Sequence, residues 1–206
     1  MTQSVENKVK SRVYGHKRGW VFSPADLADL GSDIAIHTAL SRLTEKKIIR
    51  RLTRGIYDYP RIHKALGKLA APPEDIARAL ARKDKAKIQP TGAYAANILG
   101  FSNQVPAKIV YLTDRKARIV KVGKITIELR NTTLRNMATA GRFSGLLIQA
   151  LRYIGKGNIG KKELSGFRKR ISDEQIKQLR ADVRYASPAW IADIFRYLIK
   201  KKENDV

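Results

Sequence analysis

The stretch from Ser23 to Pro60, SPADLADLGSDIAIHTALSRLTEKKIIRRLTRGIYDYP, constrains this chain more than any other. Ser23 before Pro24 is a helix start, because a serine accepts from the free N–H groups and a proline at the first helical position loses nothing. Asp26 adds a carboxylate at the positive helix end. Leu27 and Leu30 face inward, and Gly31 is expected to end the helix as its C′ residue. Ser32 then caps a second helix, with Asp33 in its first turn. Ile36, Ala39, Leu40 and Leu43 form its buried stripe, and the helix is expected to run to about Lys47. Ile48–Arg54 and Ile56–Tyr59 are β-prone runs around Gly55, which predicts a basic hairpin closed by Pro60.

Upstream, Val5, Val9 and Val13 recur every four residues and predict one helical face. Trp20-Val21-Phe22 reads as a short strand after Gly19. The order is helix, short strand, helix, tight turn, helix, basic hairpin. Those are the elements of a winged helix-turn-helix, and the order specifies the reading more than any single element does. The helix beginning at Ser32 is then expected to enter the major groove of duplex DNA. Opposite its buried stripe stand Ser32, His37, Thr38, Ser41 and Arg42, donors suited to base edges and phosphates. The hairpin offers Arg50, Arg51 and Arg54. Neighbouring strand residues point to opposite faces, so at most one of Arg50 and Arg51 faces DNA. Lys17 and Arg18 are candidate phosphate contacts before the first strand. Winged helices also serve as protein-interaction modules, and a basic surface can be merely solvated.

The charge balance agrees with a polyanionic partner. The 206 residues hold 42 Lys/Arg against 18 Asp/Glu, a net charge of +24. Basic side chains that neutralise phosphates release condensed counterions. Residues 1–71 hold 14 Lys/Arg against 6 Asp/Glu and residues 72–206 hold 28 against 12, so the surplus is not confined to one part. No apolar run reaches spanning length and the opening Met1–Ser11 is polar, so we expect a cytoplasmic protein with no membrane partner. Cysteine is absent, which removes disulfide and thiolate chemistry.

Ala70-Ala71-Pro72-Pro73 marks a boundary, because the double proline continues neither helix nor sheet. The expected domains are 1–71, the winged helix-turn-helix, and 72–206, a mixed α+β domain with a small antiparallel sheet followed by a helical bundle. In the second part, helices are expected over Pro73–Lys83 and Ala93–Leu99. Ala107–Thr113 is a strand, and Arg118–Val122 with Lys124–Leu129 form a hairpin at Gly123. Ser144–Ile154 is helical. Ser172 with Gln175 is a capping box opening a helix to about Arg184. Ser187-Pro188 starts the last helix, with Trp190 or Ile191, Ile194 and Leu198 inward. Its end, Lys200–Asn204, is expected to be solvated.

Catalytic signals are weak, and no enzyme, cofactor or metal is expected. Gly155–Lys161 has the spacing of a phosphate-binding loop up to its lysine. Lys162 stands where magnesium ligation needs Ser or Thr, and a helix rather than a strand precedes it. His16, His37 and His63 lack metal-ligand spacing. Gly31-Ser32-Asp33 serves as helix punctuation, and no Asp-x-Asp follows at a usable distance.

The run ALSRLTEKKIIRRLTRGIYDYP, with Arg54-Gly55-Ile56-Tyr57 at the tip, resembles the N-terminal winged helix of AbiEi-type (type IV) antitoxins. QPTGAYAANILGFSNQVPAKIVYLTD, residues 89–114, is similar to the part that follows in AbiEi-like proteins. The resemblance implies a transcriptional repressor that binds operator DNA of its own toxin–antitoxin operon. It also implies antagonism of a nucleotidyltransferase-like toxin, credited in that family to the C-terminal domain. The alternative is an RNA-binding or protein-interaction module in which the basic C-terminal domain does the main work.

Overall fold

The computed structural model describes residues 4–203, with the backbone alone for 201–203. The chain is α+β and divides into two compact units. One is Met1–Ala86 with Val120–Ile127; the other is Lys87–Ile119 with Glu128–Val206.

In the first unit, α1 (Val5–Gly15) is capped by Ser4 and buries Val9 and Val13. β1 (Val21–Phe22) leads to a tight 3₁₀ helix, Pro24–Leu30. The Ser23 N–H and hydroxyl both donate to Asp26 Oδ2, at 2.8 and 3.1 Å. Gly31 follows that helix as expected, but its φ of 166° is extended, not left-handed. Its absent side chain has another cause: a Cβ there would lie 2.9 Å from Val5 Cγ2, so glycine lets the turn close onto α1. α2 (Asp33–Glu45) is capped by Ser32, whose Oγ accepts from the Ala35 N–H at 3.4 Å. It buries the expected Ile36, Ala39, Leu40 and Leu43, and it ends two residues earlier than the pattern predicts.

β2 (Arg50–Thr53) and β3 (Ile56–Asp58) form the expected hairpin, antiparallel and bulged between Arg51 and Thr53. β3 is central in a three-stranded sheet of order β1-β3-β2. A second small hairpin, β4 (Ile62–His63) with β5 (Gly67–Lys68), has no clear signal in the sequence. The core of this unit joins the α1 valines, the α2 stripe, Phe22, Leu27, Ile49 and Tyr57. Rings of Tyr57, Phe22, Trp20 and His16 stack in succession from that core to the surface.

α3 (Pro73–Asp84) belongs to this unit, although the double proline suggests a boundary before it. Its buried Ile76 and Leu80 face the unit, and the helix packs on β1, β3 and the 3₁₀ helix. Arg82 fastens it, donating to Asp26 Oδ1 at 2.9 Å and to the Val21 carbonyl at 2.7 Å.

A four-stranded sheet follows, of order β6-β7-β9-β8. Its strands are β6 (Ile88–Thr91), β7 (Lys108–Thr113), β8 (Arg118–Val122) and β9 (Ile125–Asn131). Residues 120–127 of the β8–β9 hairpin group with the first unit. Gly123 makes that turn with φ of 57°. Helices follow: α4 (Gly92–Ile98), α5 (Leu134–Met137), α6 (Phe143–Ile154), α7 (Lys161–Lys169), α8 (Asp173–Asp182) and α9 (Ala189–Glu203). The Ser172–Gln175 capping box is present, with bonds of 2.9 and 3.2 Å. On α9, Ile191, Phe195 and Leu198 are fully buried while Ile194 is half-buried, so the inward stripe passes through Phe195 instead of Ile194. Residues 155–160 link α6 to α7, so the glycine-rich run is a connection between two helices. The α9 backbone runs to Glu203; the side chains of 201–203 and all of Asn204 lie outside the described residues. No helix among the described residues is long and apolar enough to cross a membrane.

Candidate nucleic-acid interface

Packing one face of α2 fixes what the other can present. The buried stripe leaves His37, Thr38, Ser41 and Arg42 exposed. The β2–β3 hairpin brings its own cations beside that face. The result is a groove of about 740 Å³, lined among others by His37, Ser41, Arg51, Arg54, Tyr57 and Lys83. Arg51, Arg54 and Lys83 form no ion pair among the described residues. Asp33 and Glu45 also line the groove, and Glu45 accepts from the Ser41 hydroxyl at 3.1 Å.

The other predicted contacts are distributed differently. Arg50 lies directly across from Asp58 in the ladder. It forms a two-pronged pair with that carboxylate, 3.1 and 2.6 Å, and donates to the Leu69 carbonyl at 2.8 Å. Hydrogen bonding to Asp58 raises the Arg50 pKa further above its ordinary range. Arg50 is therefore a tether of the hairpin, and Arg51, on the opposite face, is the one that reaches the groove. This is the alternation that the strand geometry requires.

Arg42 sits on another flank of α2. There Glu6 of α1 accepts from Lys46 Nζ at 2.5 Å and from Arg42 Nη1 at 3.4 Å. The hydrogen bond from Lys46, joined by that from Arg42, holds the Glu6 carboxyl below its ordinary pKa. Ser32 spends its oxygen on the cap, and the Thr38 hydroxyl donates to the Ile34 carbonyl at 2.9 Å. Lys17 and Arg18 stand apart at the α1–β1 turn. Arg18 covers the Tyr59 ring at 4.6 Å and donates to the Pro60 carbonyl at 3.0 Å. It lines a separate cleft of about 270 Å³ with Arg61, Arg78 and Arg82.

Sequence reasoning misses Lys83. It lies beyond the double proline, on the far side of the expected domain boundary, yet α3 carries it to the hairpin tip. A Cβ on Gly55, where φ is +73°, would lie 2.8 Å from Lys83 Nζ. The one available signal is the amphipathic pattern of α3, which predicts a helix without naming what it packs on.

No curated protein matches the chain. Among solved structures, it is similar to the crystal structure of the RV2827C protein from Mycobacterium tuberculosis, at 15% identity and a TM-score of 0.47, over 98% of this chain and 82% of that one. A family model, described as a family of unknown function (DUF6088), matches residues 5–179, and the chain belongs to that family.

Proposed function

We propose that the first unit is a winged helix-turn-helix that binds duplex DNA, and that the protein represses its own toxin–antitoxin operon. In this reading α2 enters the major groove, with His37 and Ser41 toward the bases. Arg51 and Arg54 on the hairpin, with Lys83 from α3, hold the flanking phosphates as charge-assisted donors. The observation that carries the reading is the convergence of cations from two elements, the hairpin and α3, free of ion pairs, on the groove beside the exposed face of α2. Arg42 and Lys46, paired with one carboxylate, are secondary contacts; Arg50 and Thr38 serve the fold.

The antitoxin role rests on the resemblance of residues 32–57 and 89–114 to AbiEi-like proteins. Co-expression with a nucleotidyltransferase-like toxin encoded beside the gene tests it: growth is restored if the role holds and stays arrested if it does not.

Fluorescence anisotropy with a labelled duplex from upstream of the gene tests DNA binding. The Arg51→Ala/Arg54→Ala double variant is expected to bind at least roughly tenfold more weakly, since each lost phosphate contact weakens affinity and flattens the salt dependence. Equal affinity in wild type and variant would remove the hairpin from the interface. One observation favours a protein partner instead: Asp33 and Glu45 repel phosphate from the same groove. Under that second reading, Asp33→Asn with Glu45→Gln leaves DNA binding unchanged; under the first it strengthens binding.

A further inference from the structure

The second unit contains a cleft of different character. It encloses about 200 Å³ and is lined by Arg135, Asn136, Thr139, Ile148, Gln149, Arg152, Tyr185 and Ser187. Its only charged lining groups are the two guanidiniums. Neither Arg135 nor Arg152 forms an ion pair among the described residues. Burial, followed by the like charge of Arg135, holds Arg152 below its ordinary pKa. Two cations facing one cleft without a carboxylate repel each other, and an anion between them relieves that repulsion.

The neutral groups are arranged to donate. Arg152 is oriented by its Nε donating to the Ser187 carbonyl at 2.9 Å and its Nη1 to Asn136 Oδ1 at 3.2 Å. A guanidinium carries five N–H donors, so most of its fork remains free. Gln149 is 5% exposed. Its Oε1 accepts from the Thr91 hydroxyl at 2.9 Å, while its amide nitrogen finds no acceptor among the described residues. The Thr139 hydroxyl, on a residue 4% exposed, likewise has no partner among them. Both residues are packed into the unit, yet their free donors open into the cleft, where they are held in place to meet an oxyanion.

We propose that this cleft is a phosphate-binding site, with Arg135 and Arg152 gripping the anion from two sides and Gln149 and Thr139 donating from its floor. Planar guanidiniums match the oxygen spacing of phosphate, which a lone ammonium does not. α5 supplies Arg135 and Asn136, α6 supplies Gln149 and Arg152, and the segment before α9 supplies Tyr185 and Ser187. The site therefore exists only in the folded unit. It is independent of the DNA-binding reading, because every lining residue belongs to the second unit. The phosphate has two sources to distinguish, the terminal phosphate of a free nucleotide and the phosphodiester of a nucleic-acid strand.

The test uses the full-length protein in constant sodium chloride, titrated with inorganic phosphate. It follows the arginine Nε–H and glutamine amide resonances by nitrogen–proton correlation spectra. Saturable shifts confined to Arg135, Arg152 and Gln149 are expected. Arg152→Gln and Arg135→Gln, both at exposed positions, are each expected to weaken binding about tenfold or more, the size of a lost hydrogen bond to a charged group. Lys116→Gln, which removes the same charge elsewhere on the unit, leaves it unchanged. Shifts that never saturate, or that fall equally in all three variants, overturn the site. A nucleoside monophosphate and a dinucleotide without terminal phosphate then identify the source. Saturation by the first alone assigns a terminal phosphate, and saturation by both assigns a backbone phosphodiester.

Discussion

The two units carry nearly the same charge and use it differently. The first holds 20 Lys/Arg against 9 Asp/Glu and the second 22 against 9, so the surplus does not distinguish them. In the first, arginines are largely spent on architecture. Arg12–Asp29, Arg50–Asp58, Arg78–Glu74 and Arg82–Asp26 tie side chains across or within elements. Arg51, Arg54 and Lys83 remain over an open groove. In the second, Arg135 and Arg152 share a small cleft with no carboxylate. A wide groove with unpaired cations suits an extended polyanion, whereas a small cleft between two guanidiniums suits one phosphate. Arrangement, not net charge, carries the functional information.

The largest expected effect concerns the cores that hold these arrangements. Leu40 is fully buried on α2 and Leu147 on α6. Each, changed to alanine, is expected to cost about 2–5 kcal/mol. The chain has two tryptophans. Trp20 packs on the first core and Trp190 on the second, so each Trp→Phe background reports one core during denaturant unfolding. Leu40→Ala is expected to lower the Trp20 midpoint and duplex affinity together. An unchanged midpoint would mean that α2 is not held by its apolar stripe.

Next in size are the free cations. Arg54→Ala is expected to weaken duplex binding about equally across sequences and to reduce its salt dependence, and Arg135→Gln to weaken it less. The reverse pattern would assign the polyanion to the wrong unit. Arg42→Ala is expected to fall between them, because part of its charge already faces Glu6.

The two helix caps sharpen the comparison at smaller cost. Ser172 takes part in a reciprocal capping box, while Ser32 makes a single bond of 3.4 Å. Ser172→Ala is expected to cost about 1 kcal/mol and Ser32→Ala less, by thermal unfolding. Equal costs would show that the reciprocal bond adds nothing.

The smallest effect is acid-dependent. Glu6 in the first unit is lowered by Lys46 and Arg42, and Glu128 in the second by Lys108 and Arg130. A depressed carboxyl stabilises the fold at pH values above its unfolded pKa, and that contribution is lost as pH falls through the folded pKa. Both contributions are therefore present at neutral pH and vanish below the ordinary carboxylate range. Glu6→Gln and Glu128→Gln should flatten acid unfolding curves there and leave the shape near neutral pH unchanged.

Much of this is legible in the residues themselves. The valine spacing of α1, the Ser32 cap, the stripe of α2 and the turn at Gly123 all express local rules, and each stands where those rules put it. What escapes depends on contacts distant in sequence. β6 contains Pro90, which argues against a strand. The strand exists because it is an edge, where the missing N–H is not needed. α5 has four residues, too few for a periodicity to register. Gly31 reads as a C-cap because glycines often are, but its neighbour across space, Val5, sets its role. Lys83 and the Arg135–Arg152 pair share this cause: each meets its partners only after helices dock, and no spacing along the chain announces them. Arg50 and Arg51 are the informative case, since strand alternation alone assigns them to opposite faces and so separates a tether from a groove contact.

The most direct measurement is the affinity of the full chain for a duplex from upstream of its own gene, beside a scrambled duplex, across a salt series. Operator recognition by the first unit predicts a gap of roughly 10³-fold or more between the two, with both weakening as salt rises. Equal affinities, falling steeply with salt, would mean attraction to phosphate alone and would contradict the reading of α2 as a recognition helix.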